Sequence, residues 1–334
     1  MKLGTSIRFL YPTGPHTYPQ FKEIFDSLPP GAFFERPMGA EDTGQQARNV
    51  LELAATARQA GLNGFLTGDQ HALPASYANT FSPMPTLGRI MAVTGDMPIG
   101  VVLLAPFYEP VMLAEQLGTL AAFAEAPLIV VLVNGGNPEP FRAYGFSMAS
   151  RARRTEELAA VLRPLLDGES VSFEGRYLQL DSVSISPLPR VPVEIWIGGT
   201  VPAVAERAGR LADGWLSGQN TPDDLSVEQL QLYEDTAAAH DRPARAVLRR
   251  DILVADTSQA AHAEVDQVLA EGYRGTGKGD LIVGSAAEVT ERLAHFASLG
   301  FGEVMVRHIS GDHAKILRSI ELIGEQVIGA IADY

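Results

Sequence analysis

The chain has 334 residues, 46% hydrophobic and 20% charged, an ordinary balance for a folded protein able to bury a core. Its 40 acidic and 26 basic residues leave a formal net charge of −14, which argues against bulk electrostatic binding to nucleic acid or to an anionic membrane surface. With no cysteine, disulfides, thiolate nucleophiles and cysteine-held zinc or iron–sulfur centres are excluded.

β-rich apolar runs alternate with helical patterns almost from end to end, the signature of parallel strands joined by crossover helices. Strands are expected at Lys2–Phe9, Gly64–Gly68, Ile99–Leu104, Leu128–Val133, Val193–Ile197, Gly214–Ser217, Val247–Ala255 and Glu303–His308. LIVVLV at Leu128–Val133 is apolar throughout, as strands buried on both faces are. Helices are expected at Gln45–Ala60, Pro110–Phe123, Arg151–Leu166, Pro202–Leu211, Ala286–Ser298 and Ala314–Ile328. Eight β-then-α units predict one closed (β/α)8 TIM barrel over residues 1–334, with an open doubly wound sheet as the rival. Two insertions, about 11–43 and 168–192, interrupt the alternation. The second is read as a short strand pair, Ser170–Phe173 and Tyr177–Leu180, followed by a Pro-rich stretch. No apolar run is long enough to span a bilayer, and the N-terminus lacks a secretion signal, so a cytoplasmic protein is expected.

In such a barrel the chemistry sits where strands end. The second strand runs into Asp69, Gln70 and His71, placing a carboxylate, an amide and an imidazole together; a capping aspartate beside a hydrogen-bonded histidine is the structural alternative. The third ends in Phe107 and Tyr108 between two prolines, either a pocket wall or core aromatics in a rigid turn. The fourth ends in Asn134, Gly135 and Gly136, where a backbone can approach a ligand or simply turn. The fifth ends in Gly198, Gly199 and Thr200 directly before a helix. This reads as a phosphate cradle of amides at a helix N-terminus, or as a tight turn capped by Thr200. Arg151 opens a helix with Arg153 and Arg154, and His308 and Arg307 end the eighth strand, where only one of the two points inward. Lys278 in a Gly-rich loop is a candidate lid residue. No spacing resembles a metal site.

The combination of ARQAGLNGFLTGDQH, PFYEPVMLAEQLGTL, VNGGNPEPFRAYG, the Arg151/Arg154/Glu157 pattern, VSFEGRYLQL and PVEIWIGGTVPAVAERAGRLADGWL resembles the luciferase-like monooxygenase family, in order from Gln45 to the C-terminus. The resemblance implies an eight-stranded barrel using reduced FMN or the deazaflavin F420. It implies that Gly198, Gly199 and Thr200 hold the cofactor phosphate and that Asn134, Gly135 and Gly136 lie along the cofactor. Val102, Leu103 and Leu104 would back its ring system, often through a strained peptide; Arg151, read from its place at a helix start, would meet Glu156 and Glu157, a ligand phosphate, or solvent. His71 would be the catalytic histidine, with Asp69 and Gln70 beside it; from their strand-end positions, Phe107, Tyr108 and His308 are the substrate-pocket candidates. Gln70 stands where some relatives have a second histidine, and Ala124-Glu125-Ala126-Pro127 replaces a common Ser-Gly-Gly-Arg-like turn. The expected activity is oxygenation of a small organic substrate by reduced FMN and O2, in a homodimer fed by a separate flavin or F420 reductase. F420-dependent hydride transfer, a non-catalytic flavin-binding protein and a flavin-free phosphate-binding lyase or isomerase are the alternatives.

Overall fold

The computed structural model describes residues 1–6, 40–72, 81–219, 221–270, 281–310, 312–332 and 334. Strands β1 (Lys2–Ser6), β2 (Phe65–Gly68), β3 (Ile99–Leu104), β4 (Leu128–Val133), β7 (Val193–Gly199), β8 (Gly214–Ser217), β9 (Ala246–Val254) and β11 (Glu303–His308) pair in parallel, in that order. β1 pairs with β11 and β8 with β9, so the sheet closes into an eight-stranded barrel ringed by helices, and the open-sheet alternative is set aside. The second expected insertion is the antiparallel pair β5 (Val171–Glu174) and β6 (Gln179–Val183). Most of the first, together with the end of the Lys2–Phe9 strand and Lys278, lies outside the described residues.

Alternation along each strand divides the apolar side chains. Val101 and Leu103 of β3, Val130 and Leu132 of β4, and Ile195 and Ile197 of β7 face the helices. Leu66, Ile129, Val131, Trp196, Leu216, Val247 and Met305 fill the barrel interior. Glycines make room for the large residues among them. A Cβ at Gly214 would lie 2.8 Å from Cδ1 of Trp196, and one at Gly100 would lie 2.0 Å from the Ile129 carbonyl oxygen. The N-terminal end of the barrel is closed by ions: Arg245 pairs with Glu303 and Glu194, lies 4.7 Å over the Trp196 ring, and Trp196 Nε1 donates to Glu194.

Several elements were not anticipated. Helices Pro83–Thr94, Asp223–Ala239 and Ser258–Ala270 supplement the six expected ones, and the first helix begins at Ala40 rather than Gln45. A short strand, β10 (Ile282–Gly284), adds to the upper part of β9. Three residues ending in Gly284 are too brief for an alternating pattern to register. The final helix, expected as one run, is His313–Leu322, a π-helical turn Ile323–Val327 and Ile328–Ile331. At that turn the helix crosses closely: a Cβ on Gly324 would meet the Ala60 carbonyl oxygen at 2.6 Å.

Candidate functional site

β2 stops at Gly68, and the next three residues hold the densest polar contacts at the C-terminal mouth. Asp69 is buried, and its Oδ2 accepts from the Leu104 amide (3.1 Å), the Tyr108 hydroxyl (3.0 Å) and Nε2 of His71 (3.1 Å). This one carboxylate oxygen ties the end of β2 to the end of β3. Oδ1 of Asp69 is buried with no hydrogen-bond partner. Burial, then the charge and hydrogen bond of Asp69, push the Tyr108 phenol far above its ordinary range, so Tyr108 stays protonated and donates. His71 has 21% of its side chain exposed; its ring meets Phe107, Tyr108 and Tyr144 with centroids 5.5–5.8 Å away.

The aromatic wall continues past Phe107, which packs on Phe141 at 4.8 Å, stacks on Tyr144 at 5.0 Å and lies parallel to Phe146 at 6.1 Å. The short helix Pro138–Ala143 presents these rings. Asn137 Oδ1 caps it by accepting from the Glu139 amide. Gly145, at φ +70°, closes its far end: the Gly145 amide bonds to the Arg142 carbonyl and the Phe146 amide to that of Phe141. That Schellman turn needs a left-handed residue, which glycine supplies, and it brings Phe141 and Phe146 together.

Gly198 and Gly199 end β7, paired with Leu216 and Ser217. A Cβ on Gly198 would sit 3.1 Å from Cγ1 of Val131 and 3.3 Å from the Leu216 carbonyl, so its bare backbone faces the packed interior. The following helix, Pro202–Leu211, starts from Val201, which provides no side-chain cap. Thr200 is therefore not the N-cap; its carbonyl accepts from Gln229 and it remains exposed. Amides at the end of a strand and an uncapped helix start make a fitting cradle for one phosphate.

The remaining candidates divide. Val102 and Leu104 take inward positions; Leu103 packs outward among the helices, because neighbouring strand residues alternate. The cis bond among the described residues is Ser186–Pro187, so 102–104 runs in trans. Gly135, at φ +74°, passes Leu104 closely, while Asn134 and Gln70 are half-buried. Arg151 donates to the Met148 carbonyl at 2.8 Å. Arg154 lies between the Phe146 and Tyr177 rings at 4.1 and 4.6 Å, joining the β5–β6 hairpin to the aromatic wall. Burial raises the pKa of Glu157, but the Tyr177 and Arg176 amides and Arg153 outweigh it and hold the carboxyl below its usual range.

His308 is not brought together with the others. It is half-buried, with Nδ1 3.0 Å from Ser319 Oγ on the outer helix His313–Leu322. Burial, opposed by Asp251, pushes its pKa down to about 4. The inward position belongs to Arg307, which grips the buried Asp251 through Nε (2.7 Å) and Nη2 (2.5 Å); Gln219 donates to the same carboxylate at 2.7 Å. Sequence reading missed Asp251, Gln219, Phe141, Tyr144 and Phe146. The Pro138-to-Gly145 helix signals would have flagged the last three. Among the described residues no group of His, Asp and Glu is placed to hold a metal ion, and no helix is long and apolar enough to cross a membrane.

The C-terminal mouth of this closed parallel barrel carries a glycine-ended strand leading to a helix start without a side-chain cap and, at another strand end, a carboxylate–imidazole pair, which is where barrel enzymes place their chemistry. The family model for luciferase-like monooxygenases matches residues 31–279, and the chain belongs to that family of oxidoreductases and monooxygenases. An F420-dependent glucose-6-phosphate dehydrogenase from Nakamurella multipartita is 29% identical over 214 residues, covering 62% of this chain. The match spans 60% of that relative's length. An FMNH2-dependent dimethylsulfone monooxygenase from Pseudomonas fluorescens is 24% identical over 284 residues, 83% of this chain and 77% of that one. Among solved structures, the monooxygenase RslO1 from Streptomyces bottropensis shares the fold with a TM-score of 0.78, at 21% identity over 98% of this chain and 99% of that one. Relatives use either FMN or F420.

Proposed function

We propose that the protein is a monooxygenase that uses reduced FMN and O2 on a small, largely apolar organic substrate. The observation that carries this reading is the Asp69–His71 pair set within the rings of Phe107, Tyr108 and Tyr144. An apolar wall keeps water away while a held imidazole manages protons. The amides at Gly198, Gly199 and Thr200 would hold the FMN phosphate, Val102 and Leu104 would back the rings, and Asn134, Gly135 and Gly136 would lie along the cofactor. Reduced FMN held there would supply the two electrons for oxygenation of the substrate by O2, with water as the other product. Asp69 holds the His71 ring, and His71 takes up and returns protons. Phe107 and Tyr108 form part of the substrate wall.

The charge distribution favours FMN over F420. Among the described residues, four arginines near the mouth have partners: Arg151 binds a carbonyl, Arg153 binds Glu157, Arg154 stacks between rings and Arg307 grips Asp251. With a net charge of −14, one phosphate on backbone amides suits this chain better than a polyanionic tail. The second reading is F420-dependent hydride transfer, favoured by the Nakamurella relative. The proposal includes a homodimer and a separate reductase as the source of reduced flavin. Titrating the purified protein with FMN and with F420, followed by absorbance, separates the readings. FMN uptake is expected; retention of F420 without FMN uptake would defeat the first.

A further inference from the structure

The contacts of His71 leave one of its nitrogens for exchange with solvent, and that nitrogen meets a residue with no role assigned above. With Oδ2 of Asp69 as acceptor, the hydrogen of that contact sits on Nε2 of His71, which leaves the lone pair of the ring on Nδ1. Nδ1 lies 3.3 Å from the hydroxyl of Tyr144. Tyr144 is 47% exposed, whereas Tyr108, the other phenol beside Asp69, is enclosed and held protonated. The Tyr144 ring is also firmly placed. It stacks on Phe107, its amide bonds to the Pro140 carbonyl at 2.9 Å, and the Gly145 turn fixes its exit from the helix.

We propose that Tyr144 is a positioning residue that passes protons between solvent and Nδ1 of His71, forming the outer member of a Tyr144–His71–Asp69 line. In the forward direction the Tyr144 hydroxyl gives its proton to Nδ1 as its oxygen takes one from a hydronium ion or buffer acid in solvent, which is left as water or the conjugate base. The ring becomes an imidazolium facing the Asp69 carboxylate, and Tyr144 ends with the proton count it began with. The reverse returns the proton. The line runs along the aromatic wall, with the Tyr144 ring stacked on Phe107 and the His71 ring edge-on to it.

The proposal rests on the monooxygenase reading only for the use made of the proton, because the line itself is present in the protein without cofactor. Its test is therefore cofactor-free. Nitrogen-15 histidine labelling resolves the His71 ring, and magnetisation transfer from water measures exchange of its Nε2 hydrogen, which requires prior protonation at Nδ1. Tyr144→Phe keeps the ring and removes the hydroxyl. The exchange is expected to slow by at least about tenfold, within the range of a positioned proton-transfer group, and the Nδ1 resonance should move to that of an unbonded ring nitrogen. Unchanged or faster exchange would overturn the proposal, since a hydroxyl that merely packs or shields leaves exchange constant or accelerates it when lost. The nitrogen-15 shifts of the parent provide a second check: Nε2 should carry the ring hydrogen, and a ring found as the Nδ1–H tautomer would remove the basis for making Nδ1 the entry atom. FMN titration of the same samples reports on cofactor choice separately.

Discussion

Replacing Asp69 by alanine should cost stability as well as chemistry, and the two can be separated. Oδ2 satisfies the buried Leu104 amide and the Tyr108 hydroxyl. Removing the carboxylate strands both donors, at about 1–3 kcal/mol each. Relief of the buried, unpartnered Oδ1 offsets part of that loss, so Asp69→Ala should destabilise by about 2–4 kcal/mol. Asparagine keeps an oxygen for the same donors, loses only the charge, and places its amide nitrogen where the unpartnered Oδ1 was, so Asp69→Asn should cost less than about 1.5 kcal/mol. Its effect falls on proton transfer, where about 10²–10⁴-fold in turnover is at stake. Chemical denaturation at neutral pH measures the difference, with Trp196 and Trp215, both fully buried, as intrinsic fluorophores. An alanine variant within about 0.5 kcal/mol of the parent would refute the claim that one carboxylate oxygen ties the ends of β2 and β3 together. So would an asparagine variant as unstable as the alanine one.

Gly100→Ala should destabilise by at least about 3 kcal/mol, because its Cβ would sit 2.0 Å from a carbonyl oxygen of the neighbouring strand; a thermal midpoint shifted by less than a degree would contradict this. Burial holds the folded-state pKa of His308 at about 4, below the usual value of 6.5, so the unfolded chain binds the extra proton first. Its contribution is complete above about pH 6.5 and is lost as pH falls towards 4, by at most about 3 kcal/mol. His308→Gln should flatten that part of the stability–pH curve, and an unchanged slope would count against the burial argument. Gly198→Val adds methyl groups against Val131 and the Leu216 carbonyl, and should weaken FMN uptake by about tenfold or more in an equilibrium titration.

The barrel was legible because its strands write themselves in both directions. LIVVLV is apolar at every position since Val130 and Leu132 meet helices while Ile129 and Val131 meet the interior. The strand ends were legible for the same reason, and Asp69 with His71 emerged from position alone. Orientation was harder to read. His308 and Arg307 are neighbours with equal claims in one dimension, and only the register of β11 with β9 turns Arg307 onto Asp251 and His308 onto Ser319. Leu103 fell to the same alternation. Tyr144 escaped notice because its partner lies 73 positions earlier, a contact that only barrel closure creates.

β10 lies on the same edge of β9 as β8 does, because Val247 is paired with both β8 and β11 and Ile252 with both β10 and β11. Between those two pairings the wall is joined by side chains: the Arg249 amide donates to the Ser217 hydroxyl, and Gln219 reaches Asp251. Among the described residues the other strand pairs are joined by backbone ladders, so the barrel has a seam stitched by exchangeable groups next to its mouth. Substitution of the Ser217 hydroxyl or the Gln219 side chain can reshape that margin while the backbone ladders on either side stay paired.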